Sequence, residues 1–88
     1  MKEEDSEEFD SKIEDYLSNY IRESDHLPAR YGKTIRISEV NHEHIFQIIS
    51  VIGKGYANMY DYVDNVLSEH LYKHHKEIKY LFNKDKLY

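Results

Sequence analysis

The sequence predicts a mainly α-helical fold with one short strand, and that strand must find its partner in a second copy of the chain. Three observations carry this reading. Apolar residues recur every three to four positions in three separate stretches, as on one face of a helix. A single stretch, Lys33-Thr34-Ile35-Arg36-Ile37-Ser38, instead alternates polar and apolar. No second alternating stretch exists in the chain, so the backbone N–H and C=O groups of the first have no partner within it.

Taken in order, the first eight residues, MKEEDSEE, have Met1 as their only apolar side chain and read as a mobile acidic tail. From Phe9 a helical stripe appears: Phe9, Ile13, Tyr16, Leu17, Tyr20 and Ile21. A first helix is expected from about Glu7 to Glu23. Ser6 is a candidate cap, and the acids of the opening turns are favoured by the helix dipole. Residues 26–32 are a linker. Pro28 disfavours helix at Leu27, and Gly32 permits a turn. In the strand Lys33–Ser38, Ile35 and Ile37 share one face, and Thr34, Arg36 and Ser38 share the other. Ser38 then caps a second helix, Glu39–Ile52, whose stripe is Ile45, Ile48, Ile49 and Ile52. Gly53 is placed as its left-handed stop. Asn58 caps a third helix with Asp61 at its third position, a capping-box pattern. Its stripe, from Met59 through Val63, Val66 and Leu67 to Phe82, predicts one helix of about 36 Å at about 1.5 Å per residue.

Charge divides the chain differently. The formal net charge of −5 argues against nucleic acid as a partner when taken whole. Residues 1–25, however, hold ten acids against Lys2, Lys12 and Arg22, while residues 26–88 hold nine cations against seven acids. From His26 to Ser38 there are three cations, Arg30, Lys33 and Arg36, and no acid. The domain organisation read from this is an acidic tail and amphipathic helix (1–25), a linker (26–32) and a mildly basic body (33–88).

Other classes receive no support. With no cysteine there is no disulfide, thiolate ligand or cysteine nucleophile. No apolar run approaches the ~20 residues of a membrane span, and Met1-Lys2 leads into acids rather than a signal-peptide core. The chain reads as soluble and cytoplasmic. His70 and His74 share a helix face, but a zinc site needs further ligands, so no metal or other cofactor is expected. The two histidines read instead as part of a dimer or helix-packing seam. No phosphate loop, carboxylate pair or enforced nucleophile–base spacing is present, and the protein is read as a non-enzyme.

The alternating strand, the second helix ending near Gly53, the turn containing Gly55 and the cap at Asn58 together resemble a ribbon-helix-helix DNA-binding domain. Within that class, the runs Glu43–Ile49 and Tyr62–His70 look like an uncharacterised family encoded on bacterial conjugative transposons. The resemblance covers about residues 30–82. It implies an intertwined homodimer in which a two-stranded ribbon enters the major groove of double-stranded DNA. It assigns base contacts to Thr34, Arg36 and Ser38, and a phosphate to the backbone N–H groups of Met59 and Tyr60 behind Asn58. Both roles suit the chemistry, since arginine bonds guanine in a bidentate manner and a helix N-terminus attracts anions. Arg30, Lys33 and Lys54 are further phosphate candidates, as is the Tyr60 hydroxyl. The dimer core would draw on Ile35, Ile37, Ile45, Ile49, Val63, Val66 and Leu67.

The function expected is that of a dimeric, sequence-specific DNA-binding protein of a mobile element, either a transcriptional regulator or a transfer accessory factor. Two alternatives stay open. One is a protein-interaction or structural module using the same dimer, with the acidic helix docking on a basic partner protein or folding back over the basic body. The other is a monomeric three-helix bundle without the strand.

Overall fold

Helical periodicity governs the backbone throughout. The computed structural model describes residues 6–86 and contains α1 (Ser6–Tyr20), a single 3-10 turn (Ala29–Tyr31), α2 (Glu39–Val51), α3 (Met59–Lys73) and α4 (His75–Lys86). The expected acidic tail falls partly outside the described residues, at 1–5; residues 6–8 are helical. α3 is the hub, packing against α1, α2 and α4 in turn. Among the described residues no helix is long and apolar enough to cross a membrane.

The expected strand is not present. Residues 33–38 lie between the 3-10 turn and α2 without a ladder, and no strand is found among the described residues. The ribbon-helix-helix expectation is therefore corrected to an all-helical fold. The physical reason is the one already visible in the sequence: alternation encodes which side chains share a face, but a strand exists only when another strand accepts its hydrogen bonds. Ile35, assigned to the inner face of the ribbon, is 80% exposed.

The helix boundaries differ instructively from the periodicity. α2 begins where expected, because the Ser38 hydroxyl accepts from Asn41 N at 3.1 Å. α3 begins with the expected capping box: Asp61 N donates to Asn58 Oδ1 at 2.8 Å, and Asn58 N donates to Asp61 Oδ2 at 3.1 Å. The single long third helix is instead two. It breaks at His74 (φ −110°, ψ 18°), where the His75 ring Nδ1 lies 3.0 Å from the Tyr72 carbonyl oxygen. A side chain that bonds a carbonyl locally competes with the helical ladder for it. The glycine assignment also changes. Gly55, not Gly53, carries the positive φ, +83°. Gly53 is required for space, since a Cβ there would stand 2.9 Å from Ile49 Cδ1 and 3.2 Å from the Ala57 carbonyl oxygen.

Packing is sparse, as suits a chain with 33% charged residues. Ile21, at 8% exposure, is the buried hydrophobic residue, and Asn65, at 4%, the buried polar one. The chain exposes 8048 Å², whereas a compact monomer of 10.6 kDa exposes about 5,500 Å². The radius of gyration is 16.5 Å, against about 12 Å for a compact domain of this length. Of the expected dimer core, Ile45, Ile49, Val63 and Val66 are half-buried, while Ile35, Ile37 and Leu67 are exposed.

Candidate functional site

Two neighbouring structures meet at the first turns of α3: a basic exposed segment and a polar latch. The basic segment leaves α3 at Leu27, whose carbonyl accepts from the Tyr60 hydroxyl at 2.8 Å. The 3-10 turn follows, closed by Tyr31 N to Pro28 O at 2.9 Å and Gly32 N to Ala29 O at 2.8 Å. The Arg30 guanidinium lies 4.8 Å from the centroid of the Tyr31 ring, a cation–π contact that holds its charge outward. From here to Ser38 every side chain is exposed. Arg30, Lys33 and Arg36 make no ion pair among the described residues.

The other sequence candidates fall around this segment unequally. Thr34 and Arg36 are exposed, whereas the Ser38 hydroxyl is occupied in capping α2. Lys54 is exposed in the turn between α2 and α3. The Asn58 side chain is committed to the capping box, and its partner Asp61 places a carboxylate beside the N–H groups of Met59 and Tyr60. The acids of α1 form no ion pair with Arg30, Lys33 or Arg36 among the described residues. α1 packs on α3 rather than over the basic segment.

The latch was missed in the sequence. Asn65, buried in α3, donates to Arg22 O at 2.9 Å and to Tyr20 O at 3.3 Å. These are orphan carbonyls at the end of α1, so Asn65 acts as a C-cap supplied from another helix. It accounts for α1 ending at Tyr20 rather than near Glu23. About one turn earlier, Asp61 Oδ1 accepts from Ser24 N at 3.0 Å, and next to Asn65 the Asp64 Oδ2 accepts from the Ser24 hydroxyl at 2.5 Å and pairs with His26 Nδ1. Ser24 and His26 thus bond the same carboxylate oxygen. Their joint role is to hold the chain, not to pass a proton from serine to histidine. The Ser24 hydroxyl and the His26 ring hold the Asp64 carboxyl below its ordinary range, against a smaller opposing effect of burial.

A tyrosine cluster completes the α1–α3 seam. The Tyr16 and Tyr62 hydroxyls lie 2.5 Å apart, and Tyr20 donates to Glu69 Oε1 at 3.0 Å. The rings of Tyr16 and Tyr20 meet edge to face at 5.1 Å. Burial, then the hydrogen bond shared with Tyr16, pushes the Tyr62 phenol well above its usual range; burial, then the bond to Glu69, raises Tyr20 as well. The sequence signal that could have found this seam is the polar stripe Asp61, Asp64/Asn65, Glu69 on a helix that otherwise reads as apolar. An asparagine in a helix interior is itself a flag, because its side chain competes with the backbone unless it has a fixed partner.

Between the latch and the segment lies a cleft of about 260 Å³ lined in part by Glu23, His26, Asn58 and Asp61. Its carboxylates suit it poorly to an anion. His70 and His74 bring their rings to 4.8 Å, but no group of three or more metal-type ligands is assembled among the described residues. No curated protein and no solved structure matches the chain. A family model described as protein of unknown function (DUF3408) matches residues 1–85. With the match running from the acidic helix through α4, the latch and the basic segment lie together inside one family unit, and the chain belongs to the DUF3408 family.

Proposed function

We propose that the protein is a homodimer that binds double-stranded DNA through the exposed basic segment, serving a mobile element as a transcriptional regulator or transfer accessory factor. The observation that carries the DNA reading is the run from His26 to Ser38: three cations, no acid, every side chain from Leu27 onward exposed, and no ion pair to Arg30, Lys33 or Arg36 among the described residues. Arg36 and Thr34 are its foremost contacts, with Arg30, Lys33 and Lys54 on phosphates. The contact is made by an extended segment anchored at Tyr60 and Ser38, not by a paired ribbon. Support for the dimer comes from the excess of about 2,500 Å² of surface over a compact monomer. Two chains together would then bury about 5,000 Å², at the scale of obligate homodimers.

Eight cations per dimer, Arg30, Lys33, Arg36 and Lys54 from each chain, give modest, salt-sensitive affinity. The logarithm of the binding constant should fall with the logarithm of salt at a slope of about −7. Arg36→Ala should reduce that slope by about 2, one unit per protomer, and leave the dimer intact. A gel-shift titration with duplexes selected from a random pool measures both. Unchanged affinity and slope in the variant would remove the segment as the contact. A pool that enriches no sequence, from a protein whose solution mass is dimeric, would favour the second reading, a protein-interaction module. That reading draws on the large exposed apolar surface.

A further inference from the structure

α1 and α4 carry complementary faces, and each helix packs chiefly on α3 rather than on the other. On α1, Phe9, Ile13 and Leu17 form an exposed apolar stripe. Among the described residues, the hydrogen bonds and ring contacts that tie α1 to α3 involve Tyr16 and Tyr20, which share this face, so the part of the stripe left beyond the seam is Phe9 and Ile13, toward the start of the helix. On α4, Ile78 and Leu81 are exposed three residues apart on one helix face, with the exposed Leu71 on α3 just before the His74 break. The charges beside the two faces oppose each other. α1 holds Glu7, Glu8, Asp10, Glu14 and Asp15 against Lys12. Residues 73–84 hold Lys73, Lys76, Lys79 and Lys84 against Glu77. Of the α1 acids, Glu8 alone is ion-paired among the described residues, at 4.0 Å to Lys12, and none of the four lysines is.

We propose that α1 of one protomer docks on α4 of its partner. The two chains are then related by a two-fold axis and joined by two equivalent acidic–basic helix pairs. This rests on the homodimer of the proposed function and specifies where its surface is buried. A second copy is the occupant because a single chain carries both halves of the complementary pair, and a two-fold operation supplies each half to the other. Pairing α4 with α4, or α1 with α1, would instead set like charges along the seam. The helices are of similar length, 15 and 12 residues, so one covers the other end to end. The latch has a place in this scheme: by fixing the exit of α1 on α3, it aims the acidic helix at a partner instead of leaving it to swing.

The absence of native cysteine makes the test clean. Full-length Ile13→Cys and Ile78→Cys proteins are mixed, allowed to exchange subunits and oxidised. The expected product is a disulfide between position 13 of one chain and position 78 of the other, well above the statistical share relative to the 13–13 and 78–78 products. Ser11→Cys, on the other side of α1, should link to Ile78→Cys at background level. Independently, Lys76→Glu/Lys79→Glu should raise the dimer dissociation constant by about tenfold. Mixing it with Glu14→Lys/Asp15→Lys should recover part of that loss. A monomeric mass for the unmodified protein overturns the dimer itself. A dimeric mass with no 13–78 link, and no effect of the charge reversals, overturns the α1–α4 pairing alone. A 13–78 link formed inside one chain of the double-cysteine protein, while it runs as a monomer, also overturns it by placing α4 on its own α1.

Discussion

The seam between α1 and α3 and the faces of α2 and α4 are built on opposite terms. The seam is polar and satisfied within the chain: Asn65, Asp61, Asp64 and Glu69 each meet a named partner, and among the described residues no buried side-chain polar atom lacks one. The α2 and α4 faces are apolar and left open, with Val40, Phe46, Val51, Ile78 and Leu81 exposed. Apolar surface contributes to stability only when removed from water, at roughly 25 cal/mol per Å². The difference shows a division of labour. Hydrogen bonds, which need fixed geometry, hold the acidic helix to the body, while non-directional apolar surface is left exposed on α2 and α4.

The sharpest way to break the first term is Asn65→Asp. Both amide hydrogens of Asn65 are used on carbonyls, and a carboxylate there would face two acceptors with no donor. The cost should be about 3 kcal/mol, from an unsatisfied buried charge and two orphaned carbonyls. Denaturant unfolding followed by circular dichroism measures it. If the variant loses α1 alone, the far-ultraviolet signal drops by about one helix while the remainder unfolds near the original midpoint. That outcome would make α1 a separately releasable unit. A variant as stable as the parent would show that the latch carries no weight.

The two turn glycines sharpen the comparison on the α2 side. A methyl group at Gly53 meets the Ala57 carbonyl at 3.2 Å and the Ile49 backbone at 3.3 Å. Gly53→Ala should therefore cost about 2 kcal/mol by overpacking the α2–α3 turn. Gly55 has open space, and its cost is conformational: at φ +83° an L-residue loses about 1 kcal/mol. Gly53→Ala should thus be the worse of the two in thermal melts, and the reverse order would undo this account of the turn.

Local signals in the sequence carried over better than long-range ones. Ser38 and the Asn58–Asp61 pair were legible because a cap is decided within four residues. The start of α2 followed from the same logic. The break at His74 was not legible, since Leu71, His74, Ile78 and Leu81 keep helical spacing straight across it. The His75 ring meets the Tyr72 carbonyl at the interruption, while His74 N to His70 O and Ile78 N to His74 O persist on either side. The alternation at Thr34–Ile37 was read as a strand, yet within one chain those residues meet no ladder. The latch was the largest omission. It joins residues 37 to 45 positions apart, such as Ser24 with Asp61 and Asn65 with Tyr20. Periodicity reports which face of a helix is apolar and says nothing of which polar side chain meets a distant carbonyl. The basic segment, by contrast, was visible from composition alone, and the structure adds that Arg30, Lys33 and Arg36 make no ion pair among the described residues.

The mildest perturbation of the latch is protonation of Asp64. Its carboxyl is held below the ordinary range by the Ser24 hydroxyl and the His26 ring, so the folded state binds that proton less readily than the unfolded state does. The resulting stability is fully present above the ordinary carboxylate range, about pH 4. It is lost as pH falls from there through the lowered value. Ser24→Ala removes the leading cause of the shift and should both lower stability at neutral pH, by about 1 kcal/mol, and flatten the acid limb of the stability curve. Asp61 also faces Ser24, through its backbone N–H, and that bond survives the substitution. The alkaline limb should be untouched: it belongs to Tyr62 and Tyr20, whose raised values keep stability constant up to about pH 10 and let it fall above. Chemical denaturation at a series of pH values separates the two limbs. An acid limb equally steep in parent and variant would assign it to carboxylates other than Asp64 and leave the latch as a set of neutral hydrogen bonds.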